Sequence, residues 1–311
     1  MKWQKKGLIF KAGNEYGWIC SHAQIPTVLV MEDRLRVYFA TRPKPGMSYI
    51  AMMDLDIDNP QKIIKIYENP VLLPGMPGEF DEHGVMPNWV YKKENIVYLI
   101  YVGWSRREEI PYSNWQGIAV SYDDGRTFKK CFPGPILDRT KNEILSATGL
   151  FVVAKDNIYY GFYANGTKWY EVDGKLESAY EIVTTQSDDL INWRSRTGIP
   201  ILKTKIPNEA NTRPTIIEFD DYYHMWFCYR GVEDYRDGEN SYTIGYASSQ
   251  DLLHWKRDDE KSGIQKSKYG WDSKMMAYPY VVRVKDKVYM FYNGNGFGRA
   301  GFGYAQLVDE E

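Results

Sequence analysis

Short stretches of alternating apolar and polar residues, separated by turns, run along the whole chain and predict β-strands. Five segments share one order: an apolar strand, a charged or polar hairpin, an aromatic-rich strand, a third strand and a turn. They begin at IPTVLV, PNWVYK, TGLFVV, RPTIIE and YPYVVR. No helical periodicity is visible over a long window. The pattern therefore predicts an all-β protein built from an internal repeat.

The repeat has a fixed register. In each unit a proline, or a threonine in its place, lies twelve residues before a residue of the second strand. The pairs are Pro26 and Tyr38, Pro87 and Leu99, Thr148 and Tyr160, Pro214 and Trp226, and Pro279 and Phe291. Units begin roughly 60 residues apart, close to the length of a four-stranded propeller blade. We therefore predict a five-bladed β-propeller with four-stranded blades, as a single domain over residues 1–311. Two separate β-sandwiches would not require five matched spacings.

The two ends of the chain are predicted to meet. The fifth unit ends after three strands, near Leu307, whereas the N-terminal residues 3–10 resemble the fourth-strand segments that begin at Trp193 and Trp255. An N-terminal strand that completes the last blade would leave neither terminus as an open sheet edge.

The candidate site follows from this register, because the leading ends of the innermost strands line one mouth of a propeller channel. Glu82, Glu143 and Glu209 each lie five residues before the aligned position, and His22 and His83 lie four before it. Carboxylates gathered around a funnel suit glycosidic chemistry, in which one acid protonates the leaving oxygen and a second acts as base or nucleophile. Crowding also raises the pKa of one carboxyl group, as a general acid requires.

We predict three catalytic carboxylates: Glu209 as general acid, Asp81 as base, and Glu143 as a group that tunes one of them. The residues predicted to bind substrate are His22, Gln24, Glu82, His83, Arg213, Trp271 and Asp272. Other interpretations stay open at this point. The acids can be solvated loop residues or turn caps, Arg213 can form a salt bridge to a funnel carboxylate, and Trp271 can be a core aromatic.

Composition limits the functional class. The formal net charge is −2 and there is no basic block, so no nucleic-acid partner is expected. Three cysteines are too few and too scattered for a disulfide framework, and neither metal nor cofactor is predicted. The N-terminal apolar run is too short for a signal peptide, and no later segment could span a membrane. We therefore expect a cytoplasmic protein, and its 26 Tyr and 10 Trp suit a surface that stacks on sugar rings.

Three features carry a family resemblance: the aligned strand pairs, the blade ending IGYASSQDLLHW, and the closing stretch that starts WDSKMMAYP. Over nearly its whole length the chain resembles the five-bladed superfamily of glycoside hydrolase families 32, 43, 68 and 130. Within it, the chain is most similar to family-32/43-like proteins associated with bacterial surface polysaccharides. The resemblance implies a sugar or oligosaccharide substrate, either free or linked to a nucleotide or lipid.

One departure from these families divides the functional hypotheses. Families 32 and 43 place an essential aspartate in the first blade, but this chain has Gln24-Ile25-Pro26 there and no carboxylate between Cys20 and Glu32. The first hypothesis is a glycosidase-like enzyme that uses carboxylates of blades two to four, by hydrolysis or phosphorolysis. The second is a non-hydrolytic sugar transferase, a sugar-modifying enzyme or a glycan-binding module in polysaccharide biosynthesis. Funnel acids that are all paired to Arg or Lys would favour the second.

Overall fold

The computed structural model describes residues 1–236 and 238–308, which form five antiparallel sheets. Blade one contains β2 (Ser21–Val30), β3 (Arg34–Arg42), β4 (Tyr49–Asp56) and β5 (Ile63–Ile66). Blade two contains β6 (Gly84–Lys93), β7 (Ile96–Arg106), β8 (Tyr112–Ser121) and β9 (Lys129–Lys130). Blade three contains β10 (Ala147–Lys155), β11 (Ile158–Val172) and β12 (Lys175–Ser187). Blade four contains β13 (Ala210–Phe219), β14 (Tyr222–Arg230), β15 (Thr243–Ser249) and β16 (Lys256–Arg257).

Blade five is completed from both ends of the chain. It contains β17 (Ala277–Val284), β18 (Lys287–Asn293) and β19 (Phe302–Val308), with β1 (Lys2–Phe10) as its outermost strand. Strand β1 runs antiparallel to β19, with Trp3 opposite Leu307 and Phe10 opposite Phe302. The predicted closure by the N-terminal strand is confirmed.

The five innermost strands form a ring. β2 contacts β6, β6 contacts β10, β10 contacts β13, β13 contacts β17, and β17 contacts β2. The predicted five-bladed β-propeller is therefore confirmed. Large aromatic side chains such as Phe162, Phe227 and Phe291 are fully buried and pack between neighbouring sheets. Their burial provides the main favourable contribution to folding.

Blade three differs from the others at its outer edge and at its hairpin. The isolated bridge between Gln186 and Arg194 stands in the place of a fourth strand. Strands β11 and β12 are 15 and 13 residues long, and their pairing continues past Gly166 to a turn at Asp173 and Gly174. This long hairpin extends beyond the blade and contributes to the rim of the cavity described below.

The short α1 (Asn295–Gly298) and a 3₁₀ turn at Asp259–Ser262 are the helical elements of the described chain. No helix within residues 1–236 and 238–308 is both long and apolar enough to cross a bilayer.

Each innermost strand has a register irregularity close to its aligned proline position. In three blades the residue directly before the proline adopts a positive φ: Ile25 (58°), Arg213 (56°) and Tyr278 (54°). Such a conformation is uncommon for any side chain and is an outlier for a β-branched residue such as Ile25. Bulges re-aim side chains, and all three of these residues line the axial cavity.

Candidate functional site

A cavity of about 350 Å³ lies at the propeller axis. Residues of all five inner strands contribute to its wall, together with the long hairpin of blade three and the loop that follows β14. Seven aromatic side chains reach it: Trp104, Tyr112, Tyr180, Tyr235, Tyr242, Tyr278 and Phe297. A concave, mostly apolar site with a few polar groups is the usual form of a small-molecule site.

The charged residues of this cavity are arginines. Four line it, namely Arg42, Arg213, Arg230 and Arg236, whereas no Asp or Glu of the described chain does so. A cavity with this lining attracts negatively charged ligands, because its low-polarity walls strengthen the field of the guanidinium groups.

Arg213 is buried, with 3% of its surface exposed, the same fraction as for Arg230. It donates hydrogen bonds to the carbonyl and the side-chain oxygen of Asn88 and, at 2.9 Å, to the hydroxyl of Thr27. All of these acceptors are neutral, and its Nε has no hydrogen-bond partner in the described structure. Burial lowers the pKa of Arg213 to about 10. Arg213 therefore forms no salt bridge to a carboxylate of the described chain, although the sequence left that interpretation open.

Arg42 is the last residue of β3 and lies beside Ser21, the first residue of β2. Its guanidinium forms no ion pair and no hydrogen bond with any described residue. Burial lowers its pKa, and the nearby guanidinium of Arg299 lowers it further. His22, the neighbour of Ser21, has its pKa lowered to about 4 by burial and by both of these arginines. This side of the site is therefore positively charged, and His22 is neutral at pH 7.

Arg230 ends β14 in the same way, opposite Ala210 at the start of β13. Its guanidinium lies 3.7 Å from the ring centre of Tyr235 and donates to the carbonyls of Gly231 and Ser178. No carboxylate of the described chain pairs with it. Arg42, Arg213 and Arg230 line the same cavity as Tyr278.

Arg236 differs from the other three because it has an acidic partner. Its guanidinium donates three hydrogen bonds, of 2.8, 2.9 and 3.3 Å, to the carboxylate of Glu177 in the long hairpin. The same carboxylate accepts a hydrogen bond from the hydroxyl of Tyr235. Glu177 thus neutralises Arg236 and fastens the hairpin to the loop after β14.

The three carboxylates predicted to be catalytic do not line this cavity. Asp81 lies 2.6 Å from Lys130 Nζ, and this contact includes no well-directed hydrogen bond to either carboxylate oxygen. Glu143 accepts hydrogen bonds from Tyr163 (2.6 Å) and Arg196 Nε (2.8 Å). Glu209 accepts hydrogen bonds from Arg257 (2.6 Å), the Asn211 amide and the Lys205 backbone. The structure therefore does not bring the three acids together in one acidic funnel.

Asp272, predicted to bind substrate, is also paired with a cation. Its carboxylate lies 2.6 Å from Lys5 Nζ and accepts a 2.9 Å hydrogen bond from the Tyr292 hydroxyl. In each of blades two to five, the segment before the inner strand thus carries an acid that meets a cation from the outer edge of the same blade. We call these four contacts the blade ion pairs: Asp81–Lys130, Glu143–Arg196, Glu209–Arg257 and Asp272–Lys5. Each of these pairs joins the inner and outer edges of one of blades two to five.

Of the remaining predicted residues, Gln24 and Arg213 line the cavity. Glu82 accepts a hydrogen bond from the Gly78 backbone, which lowers its pKa, and it lies 3.5 Å from His83. These two residues, like His22, are outside the cavity lining. Trp271 stacks on Tyr292 with ring centres 5.0 Å apart, in agreement with the core-aromatic interpretation.

The prediction from the inner strands alone missed Arg42, Arg230 and Arg236. The sequence contains a signal that could have predicted Arg42 and Arg230, namely their position at the end of the second strand of a blade. A second strand runs antiparallel to the inner strand, so its last residue returns to the mouth where the inner strand begins. Arg42 and Arg230 hold this position in β3 and β14.

Comparison with solved structures identifies the class of fold. The chain is similar to a protein described as a glycoside hydrolase (17% identity, TM-score 0.74, covering 99% of this chain and 92% of that one). It is also similar to a thermostable family-43 glycoside hydrolase (18% identity, TM-score 0.68, covering 94% of this chain and 91% of that one). A third similar structure comes from work on GH130 mannoside phosphorylases and glycoside hydrolases that target β-1,2 mannosidic linkages in Candida mannan (15%, 0.69, covering 99% and 94%). The fold is the five-bladed β-propeller of these glycoside hydrolase families.

Two curated proteins of Mycobacterium tuberculosis are more closely related. Uncharacterized protein MT1551 (strain CDC 1551 / Oshkosh) and Uncharacterized protein Rv1502 (strain ATCC 25618 / H37Rv) are each 32% identical over 308 residues, which covers 99% of both proteins. No family model matches the sequence. The chain belongs to the same family as these two mycobacterial proteins.

Proposed function

We propose that the axial cavity binds a carbohydrate with a negatively charged group, and that the protein transfers a glycosyl group to or from phosphate. The observation that carries this proposal is the lining of the cavity, where Arg42, Arg213 and Arg230 have no acidic partner among the described residues. Buried charges are normally paired because desolvation is costly. Guanidinium groups suit phosphate and carboxylate, which they bind with two parallel hydrogen bonds.

The chemistry of the leaving group explains why a carboxylic acid is not needed in this cavity. A glycosidase protonates its leaving oxygen because a sugar alkoxide is a poor leaving group. Phosphate leaves as a far more stable anion, and fixed cations stabilise the negative charge that develops on it. The C1–O bond breaks with its electron pair moving to the phosphate oxygen, while an acceptor hydroxyl oxygen bonds to C1. The acceptor proton ends on the departing phosphate, so the step is balanced. Its reverse is phosphorolysis.

The fold supports a carbohydrate ligand in this role, since glycoside hydrolases and mannoside phosphorylases are among the proteins with this architecture. The donor can be a simple sugar phosphate or a nucleotide- or lipid-linked sugar, because each presents phosphate at C1. A second candidate function is binding of an anionic glycan without turnover. The blade ion pairs favour it, because they leave no free acid or base in the described wall of the cavity.

Isothermal titration calorimetry tests the binding step. The panel contains glucose 1-phosphate, mannose 1-phosphate, UDP-glucose and GDP-mannose, with glucose and mannose as neutral counterparts. We expect at least one phosphorylated ligand to bind about tenfold or more tightly than its neutral sugar, and Arg213→Met to remove the difference. Arg283→Met, at an exposed arginine of blade five, is the matched control. Equal affinity for neutral and phosphorylated sugars would overturn the proposal.

Phosphate release tests the catalytic step and separates the competing mechanisms. Wild type, Asp81→Asn and Glu209→Gln are compared with the tightest donor, at a temperature where all three remain folded. The proposal expects similar rates in all three proteins. A selective loss of turnover in the two variants would return catalysis to the carboxylates. Binding without release in wild type would establish the second candidate.

A further inference from the structure

We propose that Trp104 is the platform on which the sugar ring of the ligand stacks, so that the site selects glycosyl phosphates over inorganic phosphate. This inference rests on the proposed function, because it assigns the part of the cavity that binds the sugar. Trp104 lies near the end of β7, opposite Gly84 of β6 and Asn114 of β8, and it is partly exposed on the cavity wall.

The indole of Trp104 is held in one orientation. Its N–H donates a 2.8 Å hydrogen bond to the Ser48 hydroxyl, which in turn donates to the Val85 carbonyl at 3.1 Å. Ser48 belongs to blade one and Val85 to blade two, so the ring is fixed across a blade boundary. A rigid aromatic surface loses little conformational freedom when a ligand stacks on it.

Gly84 provides the space that this orientation needs. A Cβ atom at this position would overlap both the Trp104 Nε1 and the Ser48 hydroxyl. Any side chain here would therefore displace the indole or the serine. Gly84 and Ser48, from two different segments of the chain, together fix the orientation of the Trp104 indole ring.

Three of the other six aromatic residues of the cavity, Tyr235, Tyr242 and Phe297, are packed against neighbouring side chains. The ring of Tyr235 is covered by the Arg230 guanidinium at 3.7 Å, and Tyr242 is 1% exposed. Phe297 packs its ring edge-to-face with both of these tyrosines. The aromatic neighbour of Trp104 is His83, whose ring centre is 6.1 Å away and which is not part of the cavity lining.

The recognition follows from the two kinds of surface in the cavity. Sugar rings have faces of C–H groups that pack on aromatic rings, and an indole offers the largest such surface among the side chains. The phosphate of the same molecule binds the guanidinium groups of Arg42 and Arg213. The ligand class is therefore a glycosyl phosphate whose ring has an unobstructed apolar face.

Calorimetry with two ligands tests this assignment. The probes are inorganic phosphate and whichever of glucose 1-phosphate and mannose 1-phosphate binds wild type more tightly. Trp104→Ala is expected to weaken the sugar phosphate about tenfold while inorganic phosphate changes less than about twofold. Trp104→Phe should retain part of the lost affinity. Arg42→Met should weaken both ligands, because it removes a phosphate contact.

Trp18→Ala is the matched control, since Trp18 is also partly buried, donates its indole N–H to a carbonyl and lies outside the cavity. If Trp104→Ala does not fold, Gly84→Ala and Ser48→Ala disturb the same ring from its two contacts and should weaken only the sugar phosphate. Unchanged sugar phosphate affinity in the variants that fold would overturn the platform. Failure of wild type to bind either ligand would instead overturn the proposed function.

Discussion

Two regions of the described structure, the blade ion pairs and the axial cavity, hold charged side chains in opposite ways. In the blade ion pairs each acid meets a lysine or arginine of the same blade, at separations of 2.6 Å in three of the four pairs. In the axial cavity, Arg42, Arg213 and Arg230 meet neutral groups or no polar group within the described chain. We infer that charges of the first kind stabilise the fold, whereas charges of the second kind are available to a ligand.

The physical basis is the cost of removing a charge from water. A close ion pair with further hydrogen bonds offsets this cost, and it becomes expensive to break because one charge is then left buried alone. An arginine that contacts only neutral acceptors keeps an uncompensated positive charge, which a bound anion can neutralise. Substitution should therefore affect mainly stability in the first region and mainly ligand affinity in the second.

The largest expected effect is the loss of one acid from a blade ion pair. Glu143→Gln leaves Arg196 without a carboxylate in a position where its side chain is 10% exposed. We expect the free energy of unfolding to fall by about 3–5 kcal/mol, the usual cost of breaking a buried pair. Urea denaturation measures it.

Glu108→Gln, at an exposed position, is the control for Glu143→Gln and should change the unfolding free energy by less than about 0.5 kcal/mol. Phosphate affinity should be unchanged in folded Glu143→Gln protein. A stable variant with lost phosphate binding would reverse the assignment of the two regions.

The pKa of His22 reports its burial and, to a smaller extent, the charges of Arg42 and Arg299 beside the cavity. Its pKa is about 4 in the folded protein and 6.5 in the unfolded chain. The unfolded state thus binds the proton more readily between these values, so stability from this group is complete above pH 6.5 and is lost as pH falls toward 4. The loss should be about 3 kcal/mol.

The measurement for His22 is the unfolding free energy as a function of pH, with His22→Gln as the variant. Wild type should lose more stability than His22→Gln between pH 7 and pH 4. His254→Gln, at a side chain that is 88% exposed, is the control. Parallel pH profiles for wild type and His22→Gln would show that burial and the two arginines do not lower the pKa of His22.

Arg42→Met should separate affinity from stability. Arg42 has no ion pair to lose within the described chain, so the free energy of unfolding should fall by less than about 1 kcal/mol. Loss of a charge-assisted contact should weaken phosphate binding about tenfold, or about 1.4 kcal/mol. Denaturation and calorimetry on the same preparation measure both. A destabilisation comparable with that of Glu143→Gln would show that Arg42 serves the fold.

The smallest effect is expected at Arg236, the cavity arginine that is paired with an acid, Glu177. The charges of this pair cancel, and the Arg236 side chain is 58% exposed. The double variant Glu177→Gln/Arg236→Met should therefore change phosphate affinity by less than about threefold. Calorimetry compares the phosphate affinity of the double variant with that of Arg42→Met. A loss as large as that of Arg42→Met would mean that Arg236 leaves Glu177 to bind the ligand.

The site was only partly predictable from the sequence. The spacing of Gln24 and Arg213 before their prolines placed them correctly at the axis, because the inner strands have a fixed register. The same spacing suggested a catalytic role for Asp81, Glu143 and Glu209, but register does not tell which way a side chain turns or what it meets. Their partners Lys130, Arg196 and Arg257 look in sequence like ordinary polar residues near the outer edge of a blade.

Local sequence patterns were sufficient to specify the five blades, their order and the closure of the last blade by the N-terminal strand. These features follow from hydrophobic periodicity, hairpins and proline spacing, which repeat along the chain. Which buried charges are compensated depended instead on tertiary packing. Lys5 and Asp272, for example, are 267 residues apart in sequence and 2.6 Å apart in space. Charge compensation depends on contacts between residues that are far apart in sequence. The arginine-lined cavity could therefore be identified only from the tertiary structure.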